Sequence, residues 1–227
     1  MTKSFKLDNP IALFPLPDTV FFPETHLPLH IFEPRYRQMV EDALKHESLI
    51  GMVLLSPGWE ANYYGRPEVV EMGCAGRIKS FEQLPDGKFN IILEGLSRFC
   101  VLEEFDDKPY RLAKVDFLNS THDYPLTTEY AESARRLIFR YEELIELFLR
   151  GKENRLRPSL HNCKTVGQAI DQIAHSLDWN PQQKQSFLEE LNVQNRLTVI
   201  KGEIDLKDQI LRLSAKQKKN NSDFRLN

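Results

Sequence analysis

Two spacings in this chain invite a metal. His26 and His30 stand four residues apart, the offset at which two imidazoles on one helical face hold an ion, and His161 and Cys163 stand two apart just before a helical pattern. Pro28 and the strand-like residues around it argue against a helix through His26 and His30, and no further ligand stands near His161 or Cys163, so no metal is expected at either place. Cys74, Cys100 and Cys163 are odd in number and outside any CxxC pair. Cys100 falls mid-strand and reads as a buried structural thiol. A nucleotide-driven machine needs a GxxxxGKS or GxxxxGKT loop whose amides cradle phosphates; neither that, nor GxGxxG, nor a GxSxG nucleophile elbow is present. The acidic residues are dispersed and read as solvated faces. No catalytic residue, cofactor or bound nucleotide is expected.

What the residues offer instead is contact. Trp59, Tyr63 and Tyr64 crowd a segment between Ser56 and Pro67 that has neither helical nor strand periodicity. Aromatic rings are enriched at recognition surfaces; rings that merely cover the end of a barrel are the alternative. Together with Arg35, beside the start of the first helix, they form the hypothesised peptide-binding set: Arg35, Trp59, Tyr63 and Tyr64.

Composition narrows the partners. The 227 residues, 41% hydrophobic and 28% charged, make an ordinary globular chain long enough for two domains. Residues 1–118 hold 13 basic and 18 acidic side chains, a balance of −5, within a net charge of −3 for the whole chain. Phosphate-holding surfaces are basic, so nucleic acid is disfavoured, although Arg77, Lys79 and Arg98 leave a local basic strip as an RNA-binding alternative. Polypeptides are the expected partners. The N-terminus lacks a secretory apolar core, no apolar run reaches membrane-spanning length, and cysteine usage suits a reducing compartment, so a cytoplasmic protein with no membrane partner is expected.

The elements that must position these residues begin at Leu13. Leu13-Phe14 run into Pro15 and Pro17, which suit an edge or a strand end. Val20 to Phe22 and Leu27 to Phe32 are further apolar runs, and at Glu33-Pro34 the period changes: Pro34 fits the first helical position, Glu33 its cap, and Tyr36, Met39, Val40, Ala43 and Leu44 follow at helical spacing. Leu49 to Leu55 reads as a buried strand. Glycines 73 and 76 suit a strand approached closely by another backbone; Pro85-Asp86-Gly87 signals a hairpin; Phe89, Ile91 and Leu93 alternate to one face; Gly95 interrupts; and strands resume over 98–102 and 110–118. Short strands between Pro and Gly turns predict a small closed barrel. From Asn119 the pattern turns helical: Tyr130 to Phe148 with a stop at Gly151, a capping box at Thr165 and Gln168, a start at Asn180-Pro181, and a last helix from Val193 decaying into KQKKNNSDFRLN. The predicted domains are 1–118, 119–215 as a helical bundle, and 216–227 as a flexible tail.

LFPLPDTVFFPETHLPLHIFEPRYRQMVEDAL resembles the N-terminal substrate-binding domain of Lon proteases, and the likeness continues through LIGMVLL, EMGCAGRI, LPDGKFNIILEGLSRFCV and QSFLEELNVQNRLTVI, about residues 10 to 212. The resemblance implies an α+β chain, a PUA-like β-barrel with one inserted helix followed by an all-α bundle. It implies binding of unfolded or damaged polypeptide without the ATPase and protease modules, in the role of an adaptor in protein quality control. A scaffold for one dedicated protein partner is the other reading.

Overall fold

The computed structural model describes the backbone of residues 9–62, 65–149 and 160–223, and the side chains of the same residues apart from 147–149 and 214–223. The chain is α+β, with six strands and five α-helices among the described residues: β1 (Ile11–Leu16), β2 (His26–Ile31), α1 (Pro34–Lys45), β3 (Leu49–Leu54), β4 (Met72–Gln83), β5 (Phe89–Phe105), β6 (Arg111–Leu118), α2 (Glu132–Leu149), α3 (Val166–Ser176), α4 (Pro181–Glu189) and α5 (Val193–Asp223). Two compact units result, Met1–Thr121 with Leu177–Leu191, and His122–Ser176 with Asn192–Asn227.

In the first unit the strands form one sheet in the order β2-β5-β4-β3-β1-β6, and β6 pairs also with β5, so the path of hydrogen-bonded neighbours from β5 returns to β5. Only β2 lies outside that circuit. Pro15, next to last in β1, meets the expectation of a strand end, while the alternative of an edge does not hold for β1. It is interior, parallel to β3 and antiparallel to β6, but the pairing with β6 covers only Ile11 to Leu13, so Pro15 falls where that neighbour has already left. Pro28 lies in β2, whose only partner strand among the described residues is β5.

β5 also departs from expectation. The interruption foreseen at Gly95 is a shift of register and not a break: a single 17-residue strand passes through it, its pairing with β4 slipping between Gly95 and Ser97. Gly95 pairs with Gly76 of β4, and a Cβ on Gly95 would run into the carbonyl of Phe22 while one on Gly76 would meet the Phe21 ring at 2.6 Å. The paired glycines therefore make room for the Val20–Phe22 segment, which is buried without being a strand. Gly87, at φ +78°, makes the hairpin turn between β4 and β5.

α1 follows its pattern: Pro34 opens it and Tyr36, Met39, Val40 and Ala43 are buried. Glu33 is its N-cap residue yet makes no side-chain cap, because its carboxylate is taken by Arg35 at 3.0 Å. α4 is capped as its sequence requires. The Asn180 side chain accepts from the Gln183 amide at 2.8 Å, and the Asn180 amide donates to the Gln183 side chain at 3.1 Å. Although α4 lies inside the stretch 119–215, its contacts are with the sheet: Phe187 meets Phe22 edge to face at 6.0 Å, Gln185 donates to the Met72 carbonyl at 2.9 Å, and the buried Arg98 guanidinium donates to the Leu188 carbonyl at 2.8 Å.

In the second unit α3 opens on the expected box, Gln168 N donating to Thr165 Oγ1 at 3.3 Å and Thr165 N to Gln168 Oε1 at 3.4 Å. Ile170, Ile173, Ala174, Ile200 and Ile204 are fully or nearly fully buried, and Asp171 of α3 pairs with Arg196 of α5 in their midst. Arg140 of α2 bonds Asp205 of α5 at 2.8 Å. The helical stop at Gly151 lies outside the described residues. So do residues 224–227 of the stretch 216–227, whose earlier part continues α5 as far as Asp223.

Candidate functional site

Of the four residues singled out from sequence, Arg35 and the end of the aromatic loop converge. Arg35 lies over the Tyr36 ring, 4.5 Å from its centroid, and lines a cavity of about 70 Å³ with Pro17, Gly65, Arg66 and Arg111. Each guanidinium here already has a carboxylate: Arg35 has Glu33, Arg66 has Asp106, and Arg111 has Glu104 at 3.1 Å. Arg111 also donates to the Pro67 carbonyl at 2.5 Å. Pockets that enclose a small molecule run to about 300 Å³ or more, so this cavity is a seam between packed elements. Trp59 opens a short 3-10 helix, Trp59–Asn62, is half-buried and does not line the cavity. Tyr63 and Tyr64 lie outside the described residues.

A different surface emerges where β2, β5 and β4 run side by side. Along β5, Phe89, Ile91 and Leu93 are buried while Asn90 and Ile92 face out. Pairing aligns Pro28, Ile92 and Ser80 in one outward row and His30, Asn90 and Glu82 in the next. A shallow groove lies between these rows, bounded by both and by Leu29, Ile91 and Phe81. Ile92 is 39% exposed and Phe32, whose ring stacks near His30 at 6.2 Å, 58%; Phe81, 55% exposed, pairs with the buried Ile91 and so belongs to the inward phase of β4. The polar row is locked: His30 Nδ1 lies 2.8 Å from Asn90 Oδ1, and Asn90 Nδ2 donates to Glu82 at 3.1 Å. Beyond Pro28 a third row closes the face, in which Lys79 donates to His26 Nε2 at 2.8 Å and to Glu94 at 3.0 Å.

Residues 10–203 match the family described as the ATP-dependent protease La (LON) substrate-binding domain. The chain belongs to this family. The LON substrate-binding domain is 27% identical over 206 residues to a Lon protease of Dictyoglomus thermophilum and 28% identical over 211 residues to that of Paraburkholderia phytofirmans, each match covering 91% of this chain and 25% of the relative. It therefore spans about a quarter of the length of the curated relatives it matches. Among solved structures it shares the fold of the Lon N-terminal domain protein from Xanthomonas campestris (TM-score 0.61, 24% identity, 85% of this chain and 97% of that one). It shares it also with the N-terminal domain of the Mycobacterium avium complex Lon protease (TM-score 0.58, 17% identity, 88% and 98%).

Other sequence candidates in this Lon-type domain find different roles. His26 and His30 are drawn into the outward rows, and His161 Nε2 lies 3.9 Å from Glu142. Of the basic strip, Arg98 is buried beneath α4 and Lys79 is held by Glu94, which leaves Arg77 exposed. Cys74 is buried, and burial pushes the half-buried Cys100 thiol up, with Glu71 and Asp116 adding to it, the reverse of what a reactive thiolate needs. No helix among the described residues is long and apolar enough to cross a membrane. Phe32, Phe81 and Ile92 were missed in the sequence. Ile92 carried a signal, since it is an apolar residue on the polar phase of the strict alternation Phe89, Ile91, Leu93.

The row of Lys79 and Glu94 titrates in a checkable way. The hydrogen bond from Lys79 holds the Glu94 carboxyl below the usual carboxylate range against partial burial, with the Lys79 and His26 charges assisting. Its contribution to stability is present above the ordinary glutamate value of about 4.3 and is lost as pH falls through its own lower value. Following the Glu94 side-chain carboxyl by NMR, Lys79→Gln is expected to move the titration upward toward the ordinary value. An unmoved midpoint would show that Lys79 does not set it.

Proposed function

We propose that this chain is a non-catalytic recognition protein that captures unfolded or exposed apolar segments of other polypeptides, an adaptor in protein quality control. The observation that carries the reading is the outward exposure of Phe32 and Ile92 beside the edge strand β2, within a domain whose family is named for substrate binding. Large apolar side chains left in water across one face are what an apolar client would cover. At roughly 25 cal/mol per Å² the burial of a few client side chains, after ordering costs, yields the modest affinity that suits transient capture. The pairing circuit that returns to β5 supports a PUA-like barrel as the platform, with 1–118 as the barrel domain and 119–215, apart from Leu177–Leu191 that groups with the sheet, as the helical bundle. The site is the cytoplasm, and neither nucleotide nor cofactor takes part.

A second contact surface is proposed at Arg35, Trp59, Tyr63 and Tyr64, because Arg35 and Gly65–Pro67 at the end of that loop line one cavity. The burial of Arg98 and the pairing of Lys79 favour polypeptide over RNA.

Binding of a reduced, carboxymethylated protein that cannot refold decides between the surfaces. Ile92→Asp with Phe32→Ser, both on exposed positions, is expected to weaken binding by about tenfold, roughly 1.4 kcal/mol, with the circular dichroism spectrum unchanged. Unchanged affinity would remove the β2–β5–β4 face from the site, and loss on replacing Trp59, Tyr63 and Tyr64 with Ala would move the site to the loop.

A further inference from the structure

We propose that β2 receives its client as an added strand: one extended segment of another polypeptide, apolar with basic flanks, hydrogen-bonds along the open edge of β2 and places a bulky apolar side chain in the groove beside it. This rests on the reading of the domain as a polypeptide binder and specifies how the client is held.

The phase of the ladder shows which groups are on offer. Gly95 N donates to the Thr25 carbonyl at 2.9 Å, and Leu27, Leu29 and Ile31 pair with Leu93, Ile91 and Phe89 in step with it. Main-chain groups alternate between the two sides of a strand, so those of His26, Pro28 and His30 point away from β5. None of these three makes a backbone hydrogen bond to a loop among the described residues. His26 and His30 each offer a donor and an acceptor, and Pro28 between them offers an acceptor alone.

That missing donor selects the occupant. In a second copy of β2 laid antiparallel about Pro28, two proline carbonyls would face each other with no donor between them, and shifting the register sets Pro28 against the carbonyl of His26 or His30 instead. A different segment brings an N–H to Pro28, and the edge is then fully matched. Proline and short length are devices by which sheets discourage pairing with themselves, and β2 keeps the rest of its edge available to a chain that differs from it. The groove between the Pro28–Ile92 and His30–Asn90 rows opens at this same edge, within reach of a large side chain leaning over from the added strand. At its far end Glu82 has no ion-pair partner among the described residues, and residues 1–118 carry a balance of −5 (13 − 18), so basic flanks on the segment are favoured over acidic ones.

The test uses the whole chain and a fluorescein-labelled peptide of about ten residues, valine and isoleucine alternating with threonine and lysine at both ends, read by anisotropy. An added strand bonds through every second amide, so N-methylation of one alternate set should weaken binding at least about tenfold and of the other set by less than about twofold. Equal effects of the two sets, or of neither, would overturn the added strand while leaving the polypeptide-binding reading standing on the peptide's affinity. A carboxymethylated protein that binds when the peptide does not would likewise overturn it, and binding of neither would bring down both readings. Equal affinity for a glutamate-flanked peptide would overturn the basic flanks. A concentration-dependent dimer dispersed by the peptide, seen by sedimentation, would assign the edge to a second copy and overturn the heterologous partner.

Discussion

Asp171→Ala is expected to destabilise the helical unit by about 3–5 kcal/mol, because it leaves the Arg196 guanidinium, fully buried between α3 and α5, without its carboxylate. Thermal unfolding followed at helical wavelengths would show a fall of roughly 10 °C or more for a chain of this size. Breaking such a pair strands a charge in a medium that cannot solvate it, whereas replacing both partners by apolar groups removes the desolvation cost as well. Asp171→Leu combined with Arg196→Met should therefore recover most of the loss, and a double variant as unstable as Asp171→Ala would show that packing, not the stranded charge, sets the cost.

Arg98→Met is the second large effect, expected at about 3 kcal/mol, since a charged donor to a buried carbonyl is worth about 1.5–3 kcal/mol and the side chain also fills space. Arg98 is 2% exposed and its acceptor, Leu188, lies in the last turn of α4, where helical carbonyls lack partners within the helix. Hydrogen exchange should locate the damage: amides of α4 lose protection first if Arg98 anchors that helix to β5. Loss of protection confined to β5 and β6 would contradict the anchoring role.

Much of the element order was legible because local chemistry decides it. Asn180-Pro181 and Thr165 with Gln168 open helices by satisfying their own first amides, and Gly87 turns a hairpin because it adopts a positive φ; none of these needs the rest of the chain. What was not legible depends on partners far away in sequence. Pro15 suggested an edge or a strand end, and which of the two was not legible: it stands at the end of an interior strand, where β6 has already diverged. Gly95 suggested a break, yet it continues a strand because a buried segment passes over it. The helical signal of α4 was correct, but nothing local says that its Phe187 meets Phe22. At the candidate site the dense aromatic cluster Trp59, Tyr63 and Tyr64 drew the reading, while Ile92 is brought beside Pro28 and Ser80 only by strand register.

The Arg98 to Leu188 bond joins residues 90 positions apart. A ribosome releases the chain in order, so the strands from Ile11 to Leu118 emerge well before the helix that the guanidinium requires. Through that interval Phe22 and Arg98 wait without their cover, and the intervening 122–176 stretch, which belongs to the other compact unit, must be made before the first unit can close. Synthesis of this domain thus passes through a stage in which the sheet displays apolar surface that only a later helix covers.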